Sequence, residues 1–412
     1  MREVFIVGVG MTAFGLHADK STGDMARSAV LAALKDADAQ PGDVGATFYA
    51  NTAGGAIEGQ FGIKGQHALR PIGIQGGPLV NVENACYGSS TALNLAIHYV
   101  ASGQAEVGLA AGTEKLNTED REKRKSAFGQ PLDVAGVTKF VKTYSELVAD
   151  IQPPPSVEID PKMYSLFMDA YSINARLHMK KYGTTWEQMA QVAAKNHHHS
   201  TMNPLAQFQK DFPVEKILAS KVIAWPLTLP MCSPISDGAA AVVVCSREVL
   251  DRFNAKRAVK VLSSVMRSGT DRDINDVENA ALRVAAKRAF AEAGLTPKDI
   301  SVAEVHDASA YAEINQIELV GFCDIGEGGR FTASGATALG GSIPVNVSGG
   351  LESRGHPVAA TGAAQIHELV LQLRGEAGAR QVDGASTAVA ACSGGFLGVE
   401  DSGSCVTILS KA

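Results

Sequence analysis

Two cysteines, two histidines and several glycines stand in contexts suited to proton and acyl transfer. Cys86 lies in Asn84-Ala85-Cys86-Tyr87-Gly88-Ser89-Ser90, where a strand gives way to small residues and then to a helix reaching about Ala101. A thiol at such a turn has its thiolate favoured by unpaired backbone N–H groups and by the helix dipole, as a nucleophile requires. Taken alone, a single cysteine in an apolar stretch is more often a small core residue. His356 stands in Gly355-His356-Pro357, ahead of a helix beginning near Ala359. An imidazole on this glycine-flanked turn can draw the proton from a thiol, although such a turn by itself is structural more often than catalytic. The third element, Glu304-Val305-His306-Asp307-Ala308-Ser309, ends a predicted strand over 301–305. Open α/β sheets place their ligands at the carboxyl ends of parallel strands. There His306 can donate a hydrogen bond to a developing enolate oxygen and Asp307 can fix its tautomer. The fourth, Ala391-Cys392-Ser393-Gly394-Gly395, follows a predicted strand over 386–390. It adds a second thiol and glycines whose N–H groups can approach a thioester oxygen as an oxyanion hole.

Holding these groups together requires a frame, and the hydrophobic pattern supplies one. Predicted strands over 4–9 and 46–50 flank a helix over 23–38, and a helix over 280–293 precedes the strand over 301–305. Such alternation argues for crossover units around a largely parallel sheet. The chain also repeats itself. Ala37-Asp38-Ala39-Gln40-Pro41-Gly42-Asp43-Val44 resembles Ala293-Gly294-Leu295-Thr296-Pro297-Lys298-Asp299-Ile300, each a helix end, a Pro-x-Asp turn and a strand start. Pro78-Leu79-Val80-Asn81-Val82 has a counterpart in Pro344-Val345-Asn346-Val347. Two related halves follow. Residues 117–230, with Pro153-Pro154-Pro155 and His197-His198-His199, fit neither copy and read as an insertion on the first half, which resumes at Ser236-Asp237-Gly238-Ala239. The expected division is 1–116 with 231–268, an inserted loop domain over 117–230, and a second half over 269–412.

The chain has 412 residues, 45% hydrophobic and 19% charged, which suits a globular protein with two or three cores rather than a disordered one. No apolar run nears the roughly 18 residues of a membrane span. The N-terminal Met1-Arg2-Glu3-Val4-Phe5-Ile6-Val7-Gly8 reads as a first strand with no room for a targeting segment, and Ser410-Lys411-Ala412 lacks the final Leu of the peroxisomal address. A cytoplasmic location is expected. Six cysteines without a CxxC pair read as thiols, not as a zinc site or a disulfide framework. A net charge of −6 without a long basic block excludes a nucleic-acid footprint.

In this order and context, the four motifs resemble the thiolase superfamily over essentially the whole chain. The family's nucleophile motif matches around Cys86, its Gly-His-Pro motif matches 355–357, its Cys-x-Gly motif matches 392–394, and 236–242 is similar to its signature ahead of the second half. Where many thiolases carry Asn-Glu-Ala-Phe, this chain has His306-Asp307-Ala308-Ser309, which resembles the sterol-carrier-protein type and its bacterial and archaeal relatives. The resemblance implies an α/β thiolase fold, two βαβαβ halves in a five-layered α/β/α/β/α arrangement with an inserted loop domain, assembled as a homodimer. It implies thiolysis of a 3-oxoacyl-CoA in acyl-CoA degradation, with coenzyme A as co-substrate, no permanently bound cofactor and no metal. By the same resemblance Cys86 takes the acyl group, His356 activates it, and Cys392 moves the proton at the carbon that gains or loses the acyl unit. His306, with a water, and His356 would stabilise the enolate oxygen, and the backbone N–H groups of Cys86 and Gly395 would hold the thioester oxygen. It further implies a small companion subunit combining a zinc ribbon with an OB-fold, against which stands a homodimer complete in itself. The same residues are compatible with a condensing enzyme, and relatives with the His-Asp motif include retro-aldolases. A non-catalytic acyl-CoA or lipid carrier is the rival from outside the enzymes. The presence of both Cys86 and Cys392 favours thiolysis, since an aldolase needs no acyl-enzyme and a carrier needs neither thiol.

Departures from the family pattern bear on the substrate. Ser309 stands where Phe is usual, and Tyr87 where a small residue is common. Loss of an aromatic wall would enlarge the acyl pocket, so a bulky, branched, aryl or carboxylated chain, of the benzoylsuccinyl-CoA kind, is expected over acetoacetyl-CoA. Arg354 has two readings, a partner for a substrate carboxylate or a structural ion pair with Glu352 or a distant residue, and the second is favoured. Arg121, Lys123, Arg124 and Lys125 form either a solvated face or a landing site for the phosphates of CoA. His197, His198 and His199, adjacent on a helix, point in different directions, so packing or coenzyme contact is expected rather than a metal site.

Overall fold

The computed structural model describes residues 2–129, 133–155, 157–159 and 165–412. Its first strand, β1 (Val4–Met11), is buried along all but its last residue. A strand apolar on both faces must be covered on both. Gly8 and Gly10 permit this on one side, because a Cβ at either would collide with the backbone of the helix Thr22–Asp36. That helix starts cleanly, with Ser21 and Asp24 forming a reciprocal cap.

The other strands are β2 (Ala46–Ala50), β3 (Leu79–Val82), β4 (Val107–Glu114), β5 (Val222–Ala224), β6 (Leu227–Thr228), β7 (Gly238–Ser246), β8 (Val259–Ser268), β9 (Val302–Glu304), β10 (Thr387–Gly394) and β11 (Gly403–Lys411). All but β5 and β6, which pair with each other, join one nine-stranded sheet in the order β3-β2-β4-β7-β1-β8-β11-β10-β9. The expected parallel pairing holds at both flanks, in β3–β2, β2–β4 and β10–β9. The inner pairings are antiparallel. The reason is plainest for β11, which is reached from β10 through eight residues, too few for the crossover that a parallel pair requires.

The repeat read from the sequence is visible in this order. From the seam where Phe5 faces Lys260, one half runs β1, β7, β4, β2, β3 and the other runs β8, β11, β10, β9 and then Val345, bridged in parallel to Ala303. Between the two sets of strands lie the helices Gly88–Ala101 and Thr361–Arg374, whose alanines and leucines share one apolar cluster with residues of both halves. The helix Thr22–Asp36 covers the outer face of the first half and Ala281–Ala293 that of the second. Five layers, helix, sheet, helix, sheet, helix, result.

Helices Val134–Tyr144, Leu166–Tyr182 and Trp186–Ser200 stand apart from the sheet in apolar clusters shared with residues of the second half, and Arg121–Gly129 packs separately. The three adjacent histidines do point apart. His197 lies 3.1 Å from the Pro230 carbonyl, His199 3.0 Å from that of Asn346, and His198 is exposed beside Asp211 at 3.2 Å. His199, and His197 through its other nitrogen 3.0 Å from Ser353 Oγ, therefore pack the helix Trp186–Ser200 onto the second half. Among the described residues no helix is long and apolar enough to cross a membrane.

Candidate active site

Strand β3 delivers the chain to a short 3-10 turn, Ala85–Tyr87, that feeds the helix Gly88–Ala101. Ala85 has φ +45°, a left-handed conformation costly for a residue with a Cβ. The Glu83 carboxylate supports it by accepting the Ala85 N–H at 2.8 Å. Strand β10 passes so close that a Cβ on Gly394 would lie 2.7 Å from the Cys86 nitrogen, so glycine there is a condition of the site. Cys392 sits inside β10 and not beyond its end as the sequence pattern suggested, because pairing with β11 continues as far as Gly394 opposite Gly403.

Four reactive side chains meet at this point. The Cys86 sulfur and one ring nitrogen each from His306 and His356 lie within 4.8 Å of one another. The two imidazoles are edge to face, with centroids 5.3 Å apart. The Cys392 sulfur is 3.7 Å from His306 Nδ1 and 3.4 Å from the Cys86 carbonyl oxygen. Ser236 Oγ accepts the backbone N–H of His356 at 2.9 Å, and Thr361 Oγ1 lies 2.7 Å from its Nδ1. Since Thr361 donates its hydroxyl proton to the Pro357 carbonyl, it accepts from Nδ1–H, leaving Nε2 of His356 unprotonated and able to act as a base.

Burial sets the protonation of all four. It pushes the Cys86 thiol up to about 12, opposed by the backbone N–H groups of Gly395 and of Cys86 itself. The expectation that the turn favours the thiolate is therefore corrected: desolvation outweighs the nearby N–H groups. Burial likewise holds Cys392 well above the ordinary thiol range, with the Cys86 charge adding to it. It pushes His306 down to about 3 and holds His356 well below the usual imidazole range. The resting site is neutral, two thiols and two imidazoles, with two N–H groups directed at the Cys86 sulfur.

Asp307 does not fix the His306 tautomer as expected. Its carboxylate accepts the N–H of Leu351 at 2.8 Å and of Glu352 at 3.3 Å, and the Asn196 amide at 3.1 Å. Asn196 also donates to Glu313 at 2.9 Å, and Lys195 pairs with Glu313 at 2.9 Å. This buried knot joins the helix Trp186–Ser200 to the π-helical turn Gly350–Arg354 that delivers His356. Gly350, at φ +59°, has no room for a Cβ beside the Asp307 carboxylate.

Three residues singled out in the sequence have structural roles. Arg354 is buried in an ion pair with Glu304 at 3.1 Å, not with Glu352, and does not border the neighbouring cavity where a substrate carboxylate would lie. Tyr87 lies against Cys392 and Cys405. Ser309 caps the helix Ala310–Val320, accepting the Ala312 N–H, and does not line the neighbouring cavity. The argument that its small size widens the acyl pocket is thereby overturned. Ser309→Ala is expected to cost about 1 kcal/mol of stability through the lost cap, read as a lower Tm. The ranking of acyl substrates should not move, and a changed ranking would return Ser309 to the pocket.

The cavity that reaches the site has a volume of about 360 Å³ and is bounded by His306, Tyr171, Tyr311, Phe396, Gln316 and Asp401 among others. Sequence reasoning missed Gln316, Thr361 and Asp401, which carry no motif and are brought in by tertiary contact alone. On another side, the helix Arg121–Gly129 inserts Ala127 into the small apolar cluster that contains Cys86. It leaves Arg121, Lys123 and Lys125 exposed and Arg124 half-buried.

Comparison with known proteins agrees with this arrangement. Residues 4–223 match the family model described as Thiolase, N-terminal domain, and 264–411 that described as Thiolase C-terminal domain-like. The chain is 40% identical to the acetyl-CoA acetyltransferase of Methanothermobacter thermautotrophicus, over 93% of its own length and 94% of the relative's. It is 34% identical to benzoylsuccinyl-CoA thiolase subunit BbsB of Thauera aromatica, over 93% and 92%. The solved Ltp2-ChsH2(DUF35) aldolase superposes with a TM-score of 0.75 at 24% identity, covering 99% of this chain and 97% of that one, which is a likeness of fold.

Proposed function

The chain belongs to the thiolase family and is a CoA-dependent acyltransferase, and on that premise we propose that it cleaves a bulky, branched or aryl 3-oxoacyl-CoA through an acyl-enzyme on Cys86. The observation that carries the reading is the meeting of two buried thiols and two neutral imidazoles beside a cavity of about 360 Å³. His356 takes the Cys86 proton, and the thiolate attacks the 3-oxo carbon. The C2–C3 bond breaks, its electron pair moves to C2, and the resulting enolate oxygen is held by His306 and His356. Cys392 gives its proton to C2, and the shorter acyl-CoA leaves. The acyl group remains on Cys86, its oxygen facing the N–H groups of Cys86 and Gly395. The thiol of free CoA then attacks the acyl group, returns a proton to Cys392 and releases Cys86, which recovers its own proton from His356. Two easy displacements replace one difficult one.

The cavity's tyrosines and phenylalanine support the bulky acyl class, and a benzoylsuccinyl-CoA-like chain falls within it by size. The exposed cations on the helix 121–129 suit the phosphates of CoA, assigned here to Arg121, Lys123, Arg124 and Lys125. The division into 1–116 with 231–268, 117–230 and 269–412 is supported except at its last boundary, since the strand order groups β8 (Val259–Ser268) with the second half. A homodimer is supported by β3, an edge strand with Val80 and Asn81 exposed and a free side for a second copy. A companion subunit of the zinc-ribbon and OB-fold type is suggested by the relatives, one a subunit and one solved with a DUF35 protein. A cytoplasmic location for the degradative reaction is in keeping with six free cysteines.

The test is incubation of the purified protein with free CoA and a panel of straight, branched and aryl 3-oxoacyl-CoAs, read by mass spectrometry. Branched or aryl substrates are expected to be cleaved with higher kcat/KM than acetoacetyl-CoA. The reverse order would overturn the substrate class, and binding without any turnover would turn the reading towards a carrier.

A further inference from the structure

The cavity beside His306 is aromatic on several sides, yet its polar groups do not balance. His178 is 3.1 Å from Glu318, Arg272 is held by Glu400 at 2.9 Å and by backbone carbonyls, and Lys180 pairs with Asp150 at 2.9 Å. Lys180 and Lys181 are exposed. Asp401 is different. Among the described residues no Lys, Arg or His forms an ion pair with it, and Ser393 is its hydrogen-bond partner. Gln316 spends its amide N–H on Ser393 Oγ at 3.0 Å, while its Oε1 is buried with no partner at all. A buried acceptor left unpaired is costly, and this one borders the cavity, where a ligand donor can reach it.

Both acceptors share the compartment in which the bonds would change. Asp401 is near enough for its charge to act on Cys86 and on Tyr171, and Tyr171 also feels both Cys86 and Cys392. Gln316 and His306 border the same cavity.

We propose that this cavity receives an acyl group carrying a hydrogen-bond donor, a hydroxyl or an amide N–H, beyond the reacting carbons, that Asp401 and Gln316 Oε1 accept that bond, and that an acyl group with a carboxylate at that depth is rejected. The inference rests on the 3-oxoacyl-CoA reading and narrows it to neutral, donor-bearing chains, setting aside the carboxylated, benzoylsuccinyl-CoA-like members that size alone would admit. At the depth of Asp401 and Gln316 a carboxylate would find Arg272 already paired with Glu400, while Lys180 and Lys181 lie at the exposed side of the cavity. Burial, and then the charge of Glu400, already pushes Asp401 up to about 7, so the compartment resists even its own negative charge and a second is worse. Tyr171, Tyr311 and Phe396 supply the apolar walls that carry the rest of the chain.

The deciding experiment uses three 3-oxoacyl-CoAs of equal chain length that end in a methyl, a hydroxymethyl or a carboxylate group. Their kcat/KM is measured on the wild type, Asp401→Leu, Asp401→Asn and Gln316→Leu. In parallel, calorimetry gives the affinity of the matching acyl-CoAs that lack the 3-oxo group. The hydroxyl compound is expected to exceed the methyl one by about tenfold or more in the wild type, as a buried hydrogen bond to the Asp401 and Gln316 acceptors implies. The carboxylate compound should rank last. Asp401→Leu should bring the methyl compound to the front, Asp401→Asn should keep much of the preference for hydroxyl, and Gln316→Leu should weaken it. A wild type that treats hydroxyl and methyl alike in both turnover and binding, or prefers the carboxylate, overturns the proposal. Cleavage of none of the three would defeat the thiolase reading instead, while the binding arm would still decide the role of Asp401 and Gln316. Should Asp401→Leu fail to fold, the wild-type ranking and Gln316→Leu decide alone.

Discussion

Replacing Cys86 by alanine is expected to lower kcat for 3-oxoacyl-CoA thiolysis by about four orders of magnitude or more, the scale on which removal of a catalytic nucleophile acts. No neighbouring group can take its place. The Cys392 sulfur is turned towards the Cys86 carbonyl and His306, and the two N–H groups that could hold a thioester oxygen are directed at the Cys86 sulfur. Cys86 is small and buried, so the substitution removes one sulfur and leaves the helix Gly88–Ala101 and its packing in place. Circular dichroism and Tm should therefore change little while turnover disappears. Intact-protein mass spectrometry supplies the second readout: the wild type incubated with an acyl-CoA should gain one acyl group, and Cys86→Ala none. Unchanged turnover in the variant would replace thiolysis with a retro-aldol reaction, which proceeds through no acyl-enzyme. Acylation persisting in the variant would move the nucleophile elsewhere.

The frame of this site was readable from residue order because its signals are local or repeated. The helix after Cys86 ends at Ala101 as its pattern implied, and β2 spans Ala46–Ala50. The Pro-x-Asp turns at Pro41 and Pro297 open matching 3-10 turns, each capped by its own aspartate and each leading to an equivalent strand. What escaped the sequence depends on partners distant along the chain. Cys392 falls inside β10 because β11 pairs with it. The thiol of Cys86 is held protonated by burial, a property of the whole fold that no turn motif encodes. Asp307 next to His306 suggested a hydrogen-bonded pair, yet its carboxylate faces Leu351, Glu352 and Asn196, so that its work is to hold the turn that carries His356. Ser309 suggested a wider pocket and is a helix cap. Adjacency in sequence said little about which side of the backbone each side chain would take. The polar floor of the cavity, Gln316 and Asp401, had no sequence signal because one comes from a helix interior and the other from the loop between β10 and β11.

Cys392→Ala is expected to separate the two half-reactions that Cys86→Ala abolishes together. General acid–base groups contribute about a hundred- to ten-thousand-fold, and loss of C–C bond cleavage within that range is the expected result. Acylation of Cys86 by a plain acyl-CoA should survive. That step needs His356 to take the Cys86 proton and the N–H groups of Cys86 and Gly395 to hold the thioester oxygen, and none of these depends on the Cys392 side chain. Cleavage of a 3-oxoacyl-CoA, in contrast, leaves an electron pair on C2 that must be protonated. His356 already holds the Cys86 proton at that moment, and His306, buried and pushed down to about 3, has no second proton to give. Cys392 is the thiol within reach, 3.7 Å from His306 Nδ1 and buried among neutral groups that keep its proton in place until the carbanion forms. The measurement pairs exchange of isotope-labelled CoA into an acyl-CoA, expected close to wild-type rate, with consumption of a 3-oxoacyl-CoA, expected to fall sharply. Equal loss of both activities would mean that Cys392 supports the Cys86 loop rather than moving a proton, and loss of neither would assign protonation of C2 to water.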